Sequence, residues 1–163
     1  MEIRTERSGD EGRIYKVTET AFKPMPYSDG SEPDCVEQLR ADGDLTVSLV
    51  AELDDVIIGH IAFSPVFFDG IYQNWFGLGP VSVWPDNQKQ GVGSALINEG
   101  LERIKQLGAK GCVLIGDPGY YQRFGFLNDG RITYRDLASE YVQWLSFGEE
   151  KPSGILTYSP GLE

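Results

Sequence analysis

With 163 residues, 40% of them hydrophobic and 24% charged, the chain suits one domain, 1–163, built around a single sizeable core. A formal charge of −11 at pH 7 argues against a nucleic-acid partner, because phosphate contacts need a basic face. The same charge favours a cationic partner such as a polyamine, a lysine side chain or an aminoglycoside. No stretch approaches the roughly 18 consecutive apolar residues that cross a bilayer, so no membrane partner is expected. Met1 to Glu6 holds no apolar signal core, and Cys35 and Cys112 lie far apart with no CxxC pattern. Both points place the chain in a reducing, cytoplasmic compartment. With one histidine and two cysteines, no metal site is expected.

Ile3 to Arg7 reads as a first strand. Ser8-Gly9-Asp10-Glu11 has the S-x-x-E pattern of a capping box, followed by Ile14, Val17, Ala21 and Phe22 at helical spacing. Two prolines and a Ser-Asp-Gly turn between Lys23 and Gly30 end that helix. Ser31 and Pro33 open a second one, with Val36 and Leu39 as its apolar stripe and Gly43 as its stop. Leu45 to Leu53 and Val56 to Phe68 form two β-rich runs joined at Asp54-Asp55, and Asp69-Gly70 turns into a third from Ile71 to Val83. In the middle run, alternation puts His60 on one face with Ile58 and Ala62, as a packed and hydrogen-bonded histidine. The main helix continues to about Leu107, burying Val92, Leu96, Ile97, Leu101, Ile104 and Leu107, and Gly108 closes it. Cys112 to Ile115 follows as a core strand. Tyr141 to Phe147 and Ile155 to Tyr158 are late strands, although Leu137 to Leu145 reads as helix equally well.

The stretch Gln88-Lys89-Gln90-Gly91-Val92-Gly93-Ser94 carries the chemistry. It joins an apolar strand to a helix N-terminus, whose first amides lack internal partners and where the helix dipole adds positive charge. Glycines at 91 and 93 let a bulky ligand approach the backbone. A pyrophosphate fits such a cradle, and no acid stands between Asp86 and Glu99 to oppose it. The P-loop is excluded for want of a Lys-Ser/Thr pair after the last glycine. The dinucleotide fingerprint is excluded because its third glycine position holds Leu96.

The spacing Gln88-x-x-Gly91-x-Gly93 resembles the acetyl-CoA signature of the GNAT superfamily of N-acetyltransferases, Q/R-x-x-G-x-G/A. The run Gly79 to Pro85 is similar to that family's central strand. In Gly116-Asp117-Pro118-Gly119-Tyr120-Tyr121-Gln122-Arg123-Phe124-Gly125-Phe126, Tyr121 precedes a Gly-Phe pair by four residues, as in the family. Gly59 to Val66 and Gly116 to Tyr121 further resemble a small bacterial N-acetyltransferase branch.

This resemblance covers nearly the whole chain and implies an α/β fold with an α+β-like mixed sheet flanked by helices. The sheet is splayed where the central strand meets the next parallel one. It implies direct transfer of acetyl from acetyl-CoA, as cosubstrate, to a primary amine, while the charge of −11, not the resemblance, points to a small, cationic acceptor. Backbone donors of Val81, Ser82 and Val83 then hold the acetyl and pantetheine groups. The amides of Gln88, Lys89, Gln90, Gly91, Val92, Gly93 and Ser94 hold the pyrophosphate. Tyr121 protonates the departing thiolate, since a phenol with an ordinary pKa near 10 stays protonated at neutral pH. The connection from Pro24 to Asp34 lines the acceptor site.

No carboxylate lies between Leu78 and Val83 to serve as general base. Glu19, Asp29 and Asp34 are the candidates by position, and each reads better as a solvated or capping carboxylate, so a dedicated base is not required if the amine loses its proton to water. Cys35, at a helix start that lowers a thiol pKa, lacks a base for covalent catalysis. Arg123 pairs with a cofactor phosphate or caps the tyrosine-bearing helix. Tyr27, Tyr72 and Trp75 are aromatic candidates for a cation. A non-catalytic acyl-CoA sensor and a protein N-acetyltransferase remain alternatives, as does a longer acyl group, and a homodimer through the late strands is compatible with exposed sheet edges.

Overall fold

The computed structural model describes all residues, Met1–Glu163. Strand β1 (Glu2–Thr5) leads to helices α1 (Glu11–Phe22) and α2 (Glu32–Asp42), then to the meander β2 (Val47–Leu53), β3 (Val56–Phe68) and β4 (Ile71–Val83). Helix α3 (Val92–Gln106), β5 (Gly111–Ile115), the short α4 (Pro118–Tyr121), and strands β6 (Ile132–Thr133), β7 (Val142–Ser146) and β8 (Gly154–Tyr158) complete the chain. The sheet runs β1-β2-β3-β4-β5-β7, with β8 added on β3 and β6. All neighbours are antiparallel except the pairs β4–β5 and β6–β8. This is the expected mixed α/β sheet, with one two-residue strand, β6, beyond it.

Hairpin chemistry explains the meander. Asp54 and Asp55 both adopt positive φ (51° and 64°), as do Asp69 and Gly70 (52° and 78°), the geometry of two-residue turns whose twist matches the strands. Alternate residues of β2 then face opposite layers. Leu49 and Ala51 join Leu96, Ile97 and Ile104 of α3 in the largest core, whereas Val50 joins Ile14, Val17 and Val36 of α1 and α2. A third cluster lies under β6–β8, around Trp75, Phe68 and Trp144.

Four local expectations are corrected. Ser8 forms no capping box: the Glu11 carboxylate accepts from the Gly9 amide at 2.9 Å, and Asp10 is drawn into pairs with Arg4 and the Arg7 amide. Leu107 is 61% exposed, because the helix ends one residue earlier and Gly108 (φ 89°) turns the chain away. The helical alternative for 137–145 gives way to a single 3₁₀ turn, Ser139–Tyr141, followed by β7 paired to β5. His60 does not share a face with Ile58. β2 and β3 slip register between Ala51 and Glu52, so Ile58 packs with the α3-side core while His60, opposite Val50, faces α1 and α2. Of the late strands, β8 pairs with β3 and β6, and on the outer side of β7 Trp144 alone forms a bridge, to Leu127.

β4 carries the feature that matters most. It pairs with β5 only through Trp75, Phe76 and Gly77, opposite Gly111, Cys112 and Val113. Gly79 (φ 132°) and Pro80 then form a bulge against β3, where a residue without a ladder N–H is tolerated. From Leu78 to Val83 the strand keeps β3 alone as a partner, and the sheet opens on its other side.

Candidate active site

Two adjoining cavities fill that opening. One, of about 250 Å³, is bounded by Val81, Ser82 and Val83 of β4, by Ala21 and Phe22 at the end of α1, and by Tyr121. Met25 and Tyr27, from the connection between α1 and α2, stand over it. The second is a groove along Asn87, Lys89 and Gly91–Ser94, faced by Arg123. Gln88, Val83, Gly93 and Tyr120 border both.

The end of β4 presents its backbone to the opening in a defined way. The Trp84 amide donates to the Ile58 carbonyl at 2.7 Å, so the peptide groups of Ser82, two residues back, also point to β3. Those of Val81 and Val83 therefore turn to the cleft. The Val83 carbonyl accepts from Gln88 Nε2 at 3.0 Å, which leaves the Val81 amide and carbonyl and the Val83 amide open. Ser82 contributes its side chain instead, held at 3.3 Å from Thr18 Oγ1.

The groove is built on the start of α3. Lys89 (φ 64°) and Gly91 (φ 85°) adopt left-handed conformations, which bend the chain so that the Val92–Ser94 amides open the helix facing the groove. A Cβ on Gly93 would stand 3.7 Å from the Val83 side chain and 3.8 Å from the Tyr120 hydroxyl, across the passage between the cavities. Lys89 and Arg123 are the charged groups that line the groove, and no acid joins them. Gln90 lies outside it, its amide directed to the Asp86 carbonyl at 3.5 Å.

Asp117 caps α4 by accepting from the Gly119 amide at 2.9 Å, and Gly125 (φ 96°) closes the following 3₁₀ turn. The two tyrosines between them differ. Tyr120 bonds Ser94 Oγ at 3.2 Å, whereas the Tyr121 hydroxyl has no partner in the protein and faces the smaller cavity. Tyr121 packs edge-to-face on Tyr120 (5.0 Å) and Phe126 (6.1 Å). Burial, followed by the proximity of Tyr120, pushes its pKa up to about 12, so it stays protonated.

The candidate bases lie elsewhere. Glu19 pairs with Lys16 at 3.6 Å, Asp29 holds the Ser31 amide at 3.0 Å, and Asp34 accepts from the Tyr15 hydroxyl at 3.0 Å. None borders the cavity. Burial raises the Cys35 thiol, with acidic neighbours adding to the effect, so the expected lowering at a helix start is overturned. His60 is wholly buried, 2.8 Å from Ser48 Oγ, and burial pulls its pKa down to about 4. Of the aromatic candidates, Tyr27 alone borders the cavity. Trp75 is core, and Tyr72 packs on Phe67 and Phe76 at the far hairpin. Tyr120, Arg123 and the end of α1 also line the cavities, where sequence reasoning gave Tyr120 no site role and left Arg123 undecided; the three-residue spacing of Tyr120 and Arg123 on one helical turn was their signal.

Residues 14–126 match the acetyltransferase (GNAT) family. The chain is similar to the uncharacterized N-acetyltransferase YhbS of Escherichia coli K12, 40% identical over 101 residues, 61% of this chain and 60% of that protein. The alignment thus spans less than two thirds of that relative. Among solved structures, a GNAT family acetyltransferase from Brucella melitensis in complex with acetyl-CoA superposes with a TM-score of 0.90 at 47% identity, covering 99% of this chain and 97% of the other. YhbS from Escherichia coli in complex with CoA gives 0.90 at 29% identity, with 99% and 91% covered.

Proposed function

This chain belongs to the acetyltransferase (GNAT) family, and we propose that it transfers acetyl from acetyl-CoA directly to a primary amine of a small acceptor. The observation that carries this reading is the opening beside Val81–Val83, where unpaired backbone, a groove lined by the start of α3 with Lys89 and Arg123, and the free Tyr121 hydroxyl converge. The relatives in complex with acetyl-CoA and CoA support it.

Acetyl-CoA supplies an acyl group activated as a thioester. In this reading the Val81 and Val83 peptide groups bind the acyl and pantetheine amides as an added strand. The Gly91–Ser94 amides and Lys89 take the pyrophosphate. Tyr121 donates a hydrogen bond to the departing sulfur as charge develops on it. With a pKa near 12 the phenol acts by hydrogen bonding, because full transfer to a thiolate of ordinary pKa, about 8.5, runs uphill.

The cavity lining is largely apolar and contains no carboxylate, so the amine enters neutral. Its nitrogen forms the new bond to the acetyl carbon, the carbon–sulfur bond breaks to release the thiolate, and the proton that nitrogen carries after attack passes to solvent. The charge of −11 then attracts a cationic acceptor to the surface without holding its ammonium inside. Met25 and Tyr27 over the cavity favour a small molecule above a polypeptide segment.

The test is thiol release from acetyl-CoA across a panel of primary amines from 2-phenylethylamine to spermidine, with wild type and Tyr121→Phe. Amine-dependent release should appear in the wild type. The rate should fall about a hundredfold in Tyr121→Phe, with acetyl-CoA affinity unchanged within about twofold. Wild-type rates matched by the variant would remove Tyr121 from the chemistry.

A further inference from the structure

Arg123 stands in the groove with no carboxylate to neutralise it, in a chain holding 25 acidic residues. Its position is fixed from behind. Nε donates to the Tyr120 carbonyl at 2.9 Å, and the guanidinium lies over the Tyr120 ring, 4.4 Å from its centre. The Tyr120 hydroxyl is in turn 3.2 Å from Ser94 Oγ on the first turn of α3. Arg123 is thereby tied to the helix end whose amides open the groove. A guanidinium carries five N–H donors in a rigid plane, and one is spent on the carbonyl. The four on the two Nη atoms remain, in the fork geometry that suits a phosphate.

We propose that Arg123 is a phosphate-binding residue, gripping the pyrophosphate of acetyl-CoA from the α4 side while the α3 amides hold it from the other. Tyr120 is the residue that positions it. This assignment rests on acetyl-CoA being the cosubstrate. It makes the groove a clamp assembled from two elements that meet only across the splayed sheet. It also explains why the two adjacent tyrosines divide their work, one keeping a free hydroxyl and the other joining α3 to Arg123. A lysine at 123 cannot both donate to the Tyr120 carbonyl and present a paired fork, so the charge alone is not sufficient.

Calorimetric titration of CoA and 3′-dephospho-CoA into wild type, Arg123→Gln, Arg123→Lys and Tyr120→Leu tests this. Dephospho-CoA keeps the pyrophosphate and lacks the ribose phosphate. The expected result is a loss of about tenfold in affinity for both ligands in Arg123→Gln, with Arg123→Lys recovering only part of it. Tyr120→Leu should weaken both ligands, and Tyr120→Leu/Arg123→Gln should lose clearly less than the product of the single losses, since one residue acts through the other. A loss confined to CoA would move Arg123 to the ribose phosphate and overturn the assignment. Unchanged affinity in Arg123→Gln would overturn it as well. A folded wild type that binds neither ligand would instead refute acetyl-CoA as cosubstrate.

Discussion

The two halves of β4 show how one strand serves both stability and function. Ile71–Gly77 runs between two partners at its inner end, where Trp75 is 1% exposed and fills the space beside Gly111. Leu78–Val83, which contains the Gly79–Pro80 bulge, has β3 on one side and open cleft on the other. Cohesion is concentrated where hydrogen bonds and apolar packing coincide. The proposed reactive groups stand where the sheet leaves its backbone unpaired. What replaces the missing strand on the functional half is packing from both faces, α3 on one side and α1 on the other.

The largest expected effect breaks the closed half. Trp75→Ala removes a fully buried side chain and should cost about 3–5 kcal/mol of unfolding free energy, read from urea denaturation. Val83→Ala, on the open half, should cost about 1 kcal/mol or less while weakening CoA binding. Equal stability losses at the two positions would dissolve the contrast.

A smaller effect probes the support behind the open half. His60 is the register partner of Ser82 and reaches Glu6 through Ser48 Oγ, with Arg40 pairing the same carboxylate at 2.9 Å. Burial opposes ionisation of Glu6, yet Arg40 and Ser48 hold its carboxyl below the ordinary value. The folded His60 titrates near 4 against an ordinary 6.5, so between those values the unfolded chain binds a proton that the folded one refuses. Stability contributed by neutral His60 is therefore full above pH 6.5 and lost as pH falls towards 4. The loss is on the order of 3 kcal/mol, and Glu6 adds to it in the same direction. Urea midpoints of wild type and His60→Gln across pH 4–7 check this. The wild-type midpoint should fall more steeply than the variant's; parallel curves would show that His60 titrates as it does in the unfolded chain.

Much of the candidate site was legible because the residues answer to local backbone demands. Gly91 supplies a left-handed φ that the turn into α3 requires, and Asp54-Asp55 and Asp69-Gly70 announce their hairpins. What escaped depends on register and on long-range partners. A one-residue slip at Ala51/Glu52 separates Ile58 from His60, and no sequence pattern marks it. Aromatic identity alone does not distinguish Trp75, sealed in the core, from Tyr27 at the cavity. The acids Glu19, Asp29 and Asp34 are taken by neighbours that only the folded chain supplies. The turn of the Ser82 peptide towards β3 follows from the strand's pairing, which limits the open backbone to Val81 and Val83.

The central claim, that the open half of β4 and the start of α3 form one acetyl-CoA site, is tested most directly by thermal unfolding with acetyl-CoA, CoA or NAD, in wild type and Gly91→Glu. The variant forces a side chain onto a φ of 85° and sets a carboxylate beside the groove. Both CoA species should raise the wild-type melting temperature, by about 2.7 kcal/mol of added stability at a hundredfold excess over Kd. NAD should leave it unchanged, and the variant should lose the response. A cooperatively melting wild type that ignores both CoA species, or a variant that responds as fully as the wild type, would contradict the account.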